Sequence, residues 1–141
     1  MVAVINADGL ILGRMASIIS KRLLNGEEII ITNAEKAIVI GAKDSIVARY
    51  QAKRKLNHPR KGPKFPRMPD RILKRTVRGM LPYQQGRGRT ALKNLKVYIG
   101  IPKEFKDNKS ETLDKAKNID NEKFLALGEI SNYLGSSAKF K

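Results

Sequence analysis

Apolar positions along this chain come in short blocks whose spacing changes from one block to the next. "VAVIN" (2–6) is almost continuously apolar, the pattern of a strand buried on both faces. From residue 12 the interval lengthens: Leu12, Met15, Ala16, Ile19 and Leu23 recur at helical spacing and make one apolar stripe. Asp8 stands where a cap for that helix is expected. Asn25-Gly26 marks its end, since glycine takes the left-handed capping conformation without strain. "EEIIITN" (27–33) and "AIVIG" (37–41) are short β-branched runs, read as a second and a third buried strand. Strand, helix, strand at this spacing implies a parallel pair joined by a right-handed crossover.

The next stretch alternates helix with its opposite. "KDSIVARYQAKRK" (43–55) reads as a helix with Ile46, Val47 and Tyr50 on its apolar side. "NHPRKGPKFPRMP" (57–69) holds four prolines and a glycine, so neither a helix nor a sheet ladder fits it and an extended arm is expected. Helical spacing returns in "RILKRTVRG" (71–79) through Ile72, Leu73, Thr76 and Val77. After the Pro82 turn, "TALKNL" predicts a short helix and "KVYIG" (96–100) a fourth strand. Residues 103–123 mix both charge signs and have few apolar side chains, which reads as a solvated or RNA-draped linker. "KFLALGEISNYLG" (123–135) predicts a closing helix with Phe124, Leu127, Ile130 and Leu134 turned inward.

At 141 residues the chain has room for one domain with a core of its own. We therefore expect a single domain over 1–141, with the 57–69 arm and a 103–141 extension. There is no cysteine, so a disulfide scaffold and thiol chemistry are excluded, and a reducing compartment such as the cytosol fits. The N-terminal apolar run is interrupted by Asp8 and reads as strand and turn, not as a signal peptide. No apolar run approaches the roughly 20 residues of a membrane span.

Charge changes the picture most. The formal net charge is +16. Residues 1–42 carry four Lys/Arg and four Asp/Glu, whereas residues 43–96 carry 17 Lys/Arg and only Asp44 and Asp70. Residues 97–141 are again near balance. Solvated surfaces normally mix both signs, so a one-sign block points to a polyanionic partner. Between Arg60 and Arg89, seven of ten basic residues are arginine, the side chain that forks onto phosphate and stacks on bases. The chain has no tryptophan and is 6% aromatic, which argues against a single-strand binder built on stacked rings and favours structured RNA read by backbone and shape. The candidate RNA-binding residues are Arg49, Lys53, Arg54 and Lys55 on the first basic helix. They continue as His58, Arg60, Lys61, Lys64 and Arg67 in the arm, and Arg71, Arg75, Arg78, Arg87 and Arg89 beyond it. In "VRGMLPYQQGRGR" (77–89), Val77, Met80 and Leu81 are expected to pin a turn to the body while the arginines face outward. Gly86 and Gly88 are expected to let the backbone approach RNA.

Other chemistry finds little support. "GLILG" (9–13) sits where a phosphate loop belongs, but it lacks the glycine spacing and the Lys-Ser/Thr pair. His58 has Asn57, Pro59 and Arg60 as neighbours, none a metal ligand partner of the usual kind. It reads either as a base or phosphate contact or as a plain exposed histidine. Glu27 and Glu28 are adjacent in a strand and point to opposite faces. "LGEISNYLG" (127–135) resembles the first helix of a helix-turn-helix, but too few residues follow for a recognition helix. An α/β enzyme acting on RNA or a nucleotide, the competing class, would need acids or a base near the block. Asp44 reads as a first-turn helix residue and Asp70 as a helix cap.

"RTVRGMLPYQQGRGRTALKNLKVYIGIP" (75–102) resembles the signature region of the universal large-subunit ribosomal protein thirteen family. "INADGLILGRMAS", "ITNAEKAIVIGAK" and the "NHPRKGP" arm match the same family in order, over about residues 2–102. The "LGEISNYLG" ending is similar to the archaeal branch. The resemblance implies a three-layer α/β/α fold with a four-stranded parallel sheet, plus the basic arm and a C-terminal helix. It implies a non-enzymatic, cytoplasmic protein that binds 23S-type large-subunit rRNA, packs among neighbouring ribosomal proteins and supports subunit assembly. No cofactor, metal, membrane or small-molecule substrate is implied. An RNA-contact role falls on Arg75, Arg78, Arg87 and Arg89, and on His58, Arg60, Lys61 and Lys64 of the arm.

Overall fold

The strongest sequence signals become the centre of the molecule. A computed structural model of the protein describes residues 2–56, 60–136 and 140. Strand β1 (Val2–Asn6), helix α1 (Leu12–Leu24) and strand β2 (Glu28–Thr32) form the expected parallel unit, with Val2 opposite Glu28 and Asn6 opposite Thr32. Ile29 to Thr32 are all buried, which is why β2 reads as an unbroken apolar run. Leu12, Met15, Ala16, Ile19 and Leu23 are buried along α1. Gly26 ends the turn after it at φ +92°, in the left-handed region that favours glycine. Asp8 does not cap α1. The capping position is Ile11, and the Asp8 amide instead donates to Asn6 Oδ1 at 3.1 Å. Asn6 Oδ1 also accepts from Asn33 Nδ2 at 3.0 Å, tying together the ends of β1 and β2.

The expected four-stranded parallel sheet is corrected. Strand β3 (Ile38–Ile40) is absent from the parallel sheet, which has three strands, β1, β2 and β4 (Leu95–Val97), in that order. The reason is chain length. Only five residues separate Thr32 from Ile38, most of them in a 3-10 turn, Ala34–Lys36, whereas a parallel crossover needs a dozen or more. β3 therefore turns aside and pairs antiparallel with strand β5 (Phe124–Ala126), Ile38 opposite Ala126 and Ile40 opposite Phe124. The third parallel strand is β4 (Leu95–Val97), with Ile29 opposite Leu95. Hydrogen bonds continue beyond it, from Tyr98 N to Ile31 O at 2.8 Å and from Asn33 N to Gly100 O at 2.9 Å.

Helix α2 (Lys43–Lys55) keeps its expected bounds, with Asp44 in its first turn and Ile46 and Tyr50 buried. Helix α3 (Pro69–Met80) begins with a proline at its first position, where the missing N–H costs nothing. Asp70 is therefore one residue inside α3 and is not its cap. Ile72, Leu73 and Val77 bury α3 against α1. Helix α4 (Gly86–Lys93) starts four residues before the "TALKNL" signal.

The C-terminal third departs furthest from expectation. Residues 103–123 are not a solvated linker throughout. The Glu111 backbone exchanges hydrogen bonds with β1, from Asn6 N to Glu111 O at 3.1 Å and from Glu111 N to Val4 O at 2.7 Å. Ile11 N donates to Ala116 O, and Leu113 and Ala116 are buried in the same apolar cluster as α1. These contacts cover β1, which otherwise exposes an unpaired ladder edge. The predicted closing helix is in fact β5 followed by helix α5 (Leu127–Tyr133). Leu127, Ile130 and Leu134 are buried as expected, but Phe124 is 49% exposed.

Gly88 has a role the sequence did not suggest. It is buried, and a Cβ placed on it would lie 2.0 Å from the Pro82 carbonyl oxygen. Its bare backbone lets α4 close onto the turn that precedes it, so the expected approach to RNA is replaced by an approach to the protein itself. Gly88→Ala should lower stability by about 1–3 kcal/mol, the usual cost of overpacking. Gly79→Ala, where nothing lies within 4 Å of the new Cβ, should leave stability equal or raise it by up to about 1 kcal/mol. Urea denaturation of the two variants checks the contrast.

Candidate nucleic-acid interface

The basic candidates sit on three consecutive pieces of structure: α2, the segment 60–68, and α3 with the turn into α4. Arg49, Lys53 and Lys55 are exposed on α2, while Arg54 is half-buried. Residues 63–67 have neither helix nor strand, as their prolines require; Lys64 and Arg67 are exposed within them, and Arg60 and Lys61 are exposed in the turn just before. Arg71 and Arg78 stand outward on α3, Arg75 is half-buried between them, and Arg87 and Arg89 are exposed in the first turn of α4. His58 lies outside the described residues.

Backbone oxygens and aromatic rings orient these cations. Arg54 Nη1 donates to the Phe65 carbonyl at 2.6 Å, Arg75 Nη1 to the Lys64 carbonyl at 3.2 Å, and Arg67 Nη1 to the Gly135 carbonyl at 3.4 Å. Arg87 Nε donates to Gln85 Oε1 and Arg89 Nη2 to the Gln84 carbonyl. The Arg78 guanidinium lies 4.4 Å from the centre of the Tyr83 ring, a cation–π distance. Among the described residues the ion pairs shown are Arg22 with Glu27 and Glu111 and Lys117 with Asp114, all outside residues 43–96.

Two groupings emerge. Arg54, Lys64, Arg67 and Arg71 line a hollow of about 450 Å³ with Phe65 and Met68. A neighbouring hollow of about 440 Å³ shares Arg54 and Arg67 and adds Lys55 and Tyr133. The other grouping surrounds an aromatic pair. Tyr50 and Phe65 meet edge-on at 5.8 Å, and Arg49, Lys53 and Arg75 all lie within 5.7 Å of one of the two ring centres. Although the Lys53 side chain is largely exposed, its ammonium end sits over the Tyr50 and Phe65 rings; that partial burial pushes it below the ordinary lysine range, and the positive charges of Arg49 and Arg75 push it the same way. Burial raises the Tyr50 hydroxyl, against the lowering effect of Arg49.

Sequence reasoning missed these aromatic side chains. Phe65, Tyr50 and Tyr83 each serve as a platform for cations; for Phe65 and Tyr50 the visible signal is an aromatic residue flanked by Lys or Arg, in "KFPR" and "RYQAK", whereas Tyr83 in "LPYQQGR" has no adjacent cation. Lys43 was also outside the candidates, although its ammonium lies 5.2 Å from the Tyr133 ring centre. Chemically the face offers N–H donors and positive charge with little to accept a proton. Among the described residues no group of three or more His, Cys, Asp or Glu side chains is placed to hold a metal ion, and no helix is long and apolar enough to cross a membrane.

Taken together, fold and face define a small basic α/β protein whose excess charge is gathered in one segment that holds only two acids of its own. The chain belongs to the ribosomal protein L13 family, whose model matches residues 1–104, and it is of the archaeal type. It is 50% identical over 144 residues to the large ribosomal subunit protein uL13 of Methanosphaera stadtmanae, covering 99% of this chain and 100% of the relative. It is 49% identical over 136 residues to the protein of the same name from Methanosarcina barkeri, covering 94% of this chain and 97% of the relative. The Methanocaldococcus jannaschii relative, also of that name, is 48% identical over 143 residues, with 97% and 98% covered.

The cation cluster has a direct spectroscopic consequence. In a lysine ε-carbon NMR titration, Lys53 should lose its proton at lower pH than an ordinary lysine. Arg75→Met should move it only part of the way back, because burial is the larger cause. A Lys53 that titrates at or above the ordinary value contradicts the arrangement.

Proposed function

We propose that this chain is a structural, non-catalytic constituent of the large ribosomal subunit, that it binds 23S-type rRNA through the face described above, and that it supports subunit assembly. The observation that carries the reading is the separation of charge: seventeen basic side chains against two acids in residues 43–96, with Arg54 and Arg75 oriented by backbone carbonyls and Arg75 and Arg78 by aromatic rings. Three full-length relatives bear the name of a large-subunit protein, and the family match covers all of that block.

Each proposed RNA contact then has a physical part. Arg49, Lys53, Arg54 and Lys55 present charge along α2. Arg60, Lys61, Lys64 and Arg67, with His58, extend it along the arm. Arg71, Arg75, Arg78, Arg87 and Arg89 complete the face on α3 and at the start of α4. Arg87 and Arg89 stand at the positive end of the α4 dipole, with no acid in its first turn. A phosphate beside them removes that unfavourable arrangement. The protein works as one domain over residues 1–141, with the 57–69 arm and the 103–141 extension as its appendages. It works in the cytoplasm, with rRNA and neighbouring ribosomal proteins as partners and with no cofactor, membrane or small-molecule substrate.

Two measurements test this. In a sucrose gradient of cell lysate the chain should travel with the large subunit; a chain found only at the top of the gradient overturns the reading. Reversing charge at Arg78 and Arg87 together should weaken rRNA association. It should also flatten the log–log salt dependence by about one to two units, since each phosphate contact contributes roughly 0.7–0.9. An unchanged slope removes those two residues from the interface.

A further inference from the structure

The hollow formed by Arg54, Lys64, Arg67 and Arg71 has one weak wall. Arg54 is held by α2 and Arg71 by α3, but Lys64 and Arg67 lie in a segment with no ladder or helical hydrogen bonds to fix it. Mutual repulsion among the four cations works to open that wall. Something has to hold it, and the contacts converge on one residue. The Phe65 ring is half-buried against the core and meets Tyr50 edge-on at 5.8 Å. Lys53 Nζ lies 5.2 Å and the Arg75 guanidinium 5.1 Å from its centre. Its carbonyl accepts from Arg54, and the neighbouring Lys64 carbonyl accepts from Arg75.

We propose that the hollow is a preformed seat for the sugar-phosphate backbone of one RNA strand, and that Phe65 is the positioning residue that holds it in shape before RNA arrives. This rests on the rRNA-binding reading above and adds the piece of RNA taken and the device that prepares for it. The chemistry suits a phosphodiester. Arginine has five N–H donors in a fixed fork, and the carbonyl bonds of Arg54 and Arg67 each engage one nitrogen, leaving donors for a phosphate. At about 450 Å³ the space falls in the usual range for ligand sites, roughly 300–1,000 Å³. The adjoining hollow continues the path past Lys55 to Tyr133, which is 43% exposed and offers a ring to a base. The strand therefore has a route longer than a single nucleotide.

A prepared seat leaves a distinctive mark on binding. Counterion release counts the phosphates neutralised in the final complex, so it is blind to whether the protein was ordered beforehand. Removing Phe65 should cost affinity without changing the salt slope, whereas removing a contacting arginine should change both. The test uses the full chain and large-subunit rRNA transcribed in vitro, with binding measured across a salt series. Phe65→Ala should weaken binding about tenfold at every salt concentration, with the wild-type slope kept. It should also speed amide exchange over residues 63–67 in the free protein. Phe65→Leu, which keeps the apolar contact but removes the ring from Lys53 and Arg75, should fall between the two and carries the test if the alanine variant does not fold. Arg67→Gln with Arg71→Gln should flatten the slope by about one to two units. Phe65 variants that bind like the wild type, while the arginine pair flattens the slope, overturn the positioning role and leave the rRNA reading intact. A Phe65→Ala slope as flat as that of the arginine pair overturns the preformed seat. Failure of the wild-type protein to bind the rRNA at all overturns the functional reading itself.

Discussion

Positive charges gathered at this density repel one another, and every other feature of the protein answers that repulsion. Residues 43–96 carry 17 Lys/Arg against two acids, so the fold cannot neutralise the segment from within. It restrains the cations by other means. Carbonyl oxygens at Phe65, Lys64, Gly135 and Gln84 accept from Arg54, Arg75, Arg67 and Arg89, while the ring of Tyr50 faces Arg49, that of Phe65 faces Lys53 and again Arg75, and that of Tyr83 faces Arg78. These contacts set direction while leaving the charge in place. A carboxylate would have done the opposite, fixing the side chain and cancelling the charge that a phosphate needs. Lys53 lies among Arg49 and Arg75 beside the Tyr50 and Phe65 rings, and partial burial together with these two positive charges pushes its ammonium below the ordinary lysine range.

Holding such a segment requires a body that is stable without it. That body comes from both ends of the chain. The β1-α1-β2 unit buries Ile5, Met15, Ile19, Ile29 and Ile31, while Leu113, Ala116, Leu125 and Ile130 of the C-terminal third close the same cluster. Mixed charge is confined to this body, and one of its two arginines, Arg22, is spent on Glu27 and Glu111, pinning the C-terminal segment beside β1. Acids thus serve the scaffold and are scarce on the face. Arginines of the same kind do different work according to which side they stand on.

The parts of this organisation with strong local signals were legible in the sequence. The apolar stripe of α1, the β-branched run of β2, the bounds of α2 and the charge asymmetry all reflect nearest-neighbour chemistry. What escaped depends on contacts between distant residues. "AIVIG" has the composition of a parallel strand, yet five residues of connection deny it that place, and its partner Phe124–Ala126 reads locally as helix. Residues 111–116 look solvated because only a few of them are apolar, but their backbone supplies the edge that β1 lacks. Gly88 looked like space for a ligand and proved to be space for Pro82. At the candidate site the identity of the cations was plain, but their grouping was not. That Arg54, Lys64, Arg67 and Arg71 share one hollow follows from how residues 64–68 lie against α2 and α3, which composition cannot reveal.

The central claim is that the guanidinium groups of Arg54, Arg67 and Arg71, which line one hollow with Lys64, take rRNA phosphates as their partners. A cryo-electron microscopy map of the large subunit carrying this chain tests that most directly. The account predicts phosphate oxygens about 2.7–2.9 Å from guanidinium nitrogens of Arg54, Arg67 and Arg71, the spacing of a charge-assisted hydrogen bond. A map in which those arginines face open solvent, or the carboxylates of a neighbouring protein, would contradict it.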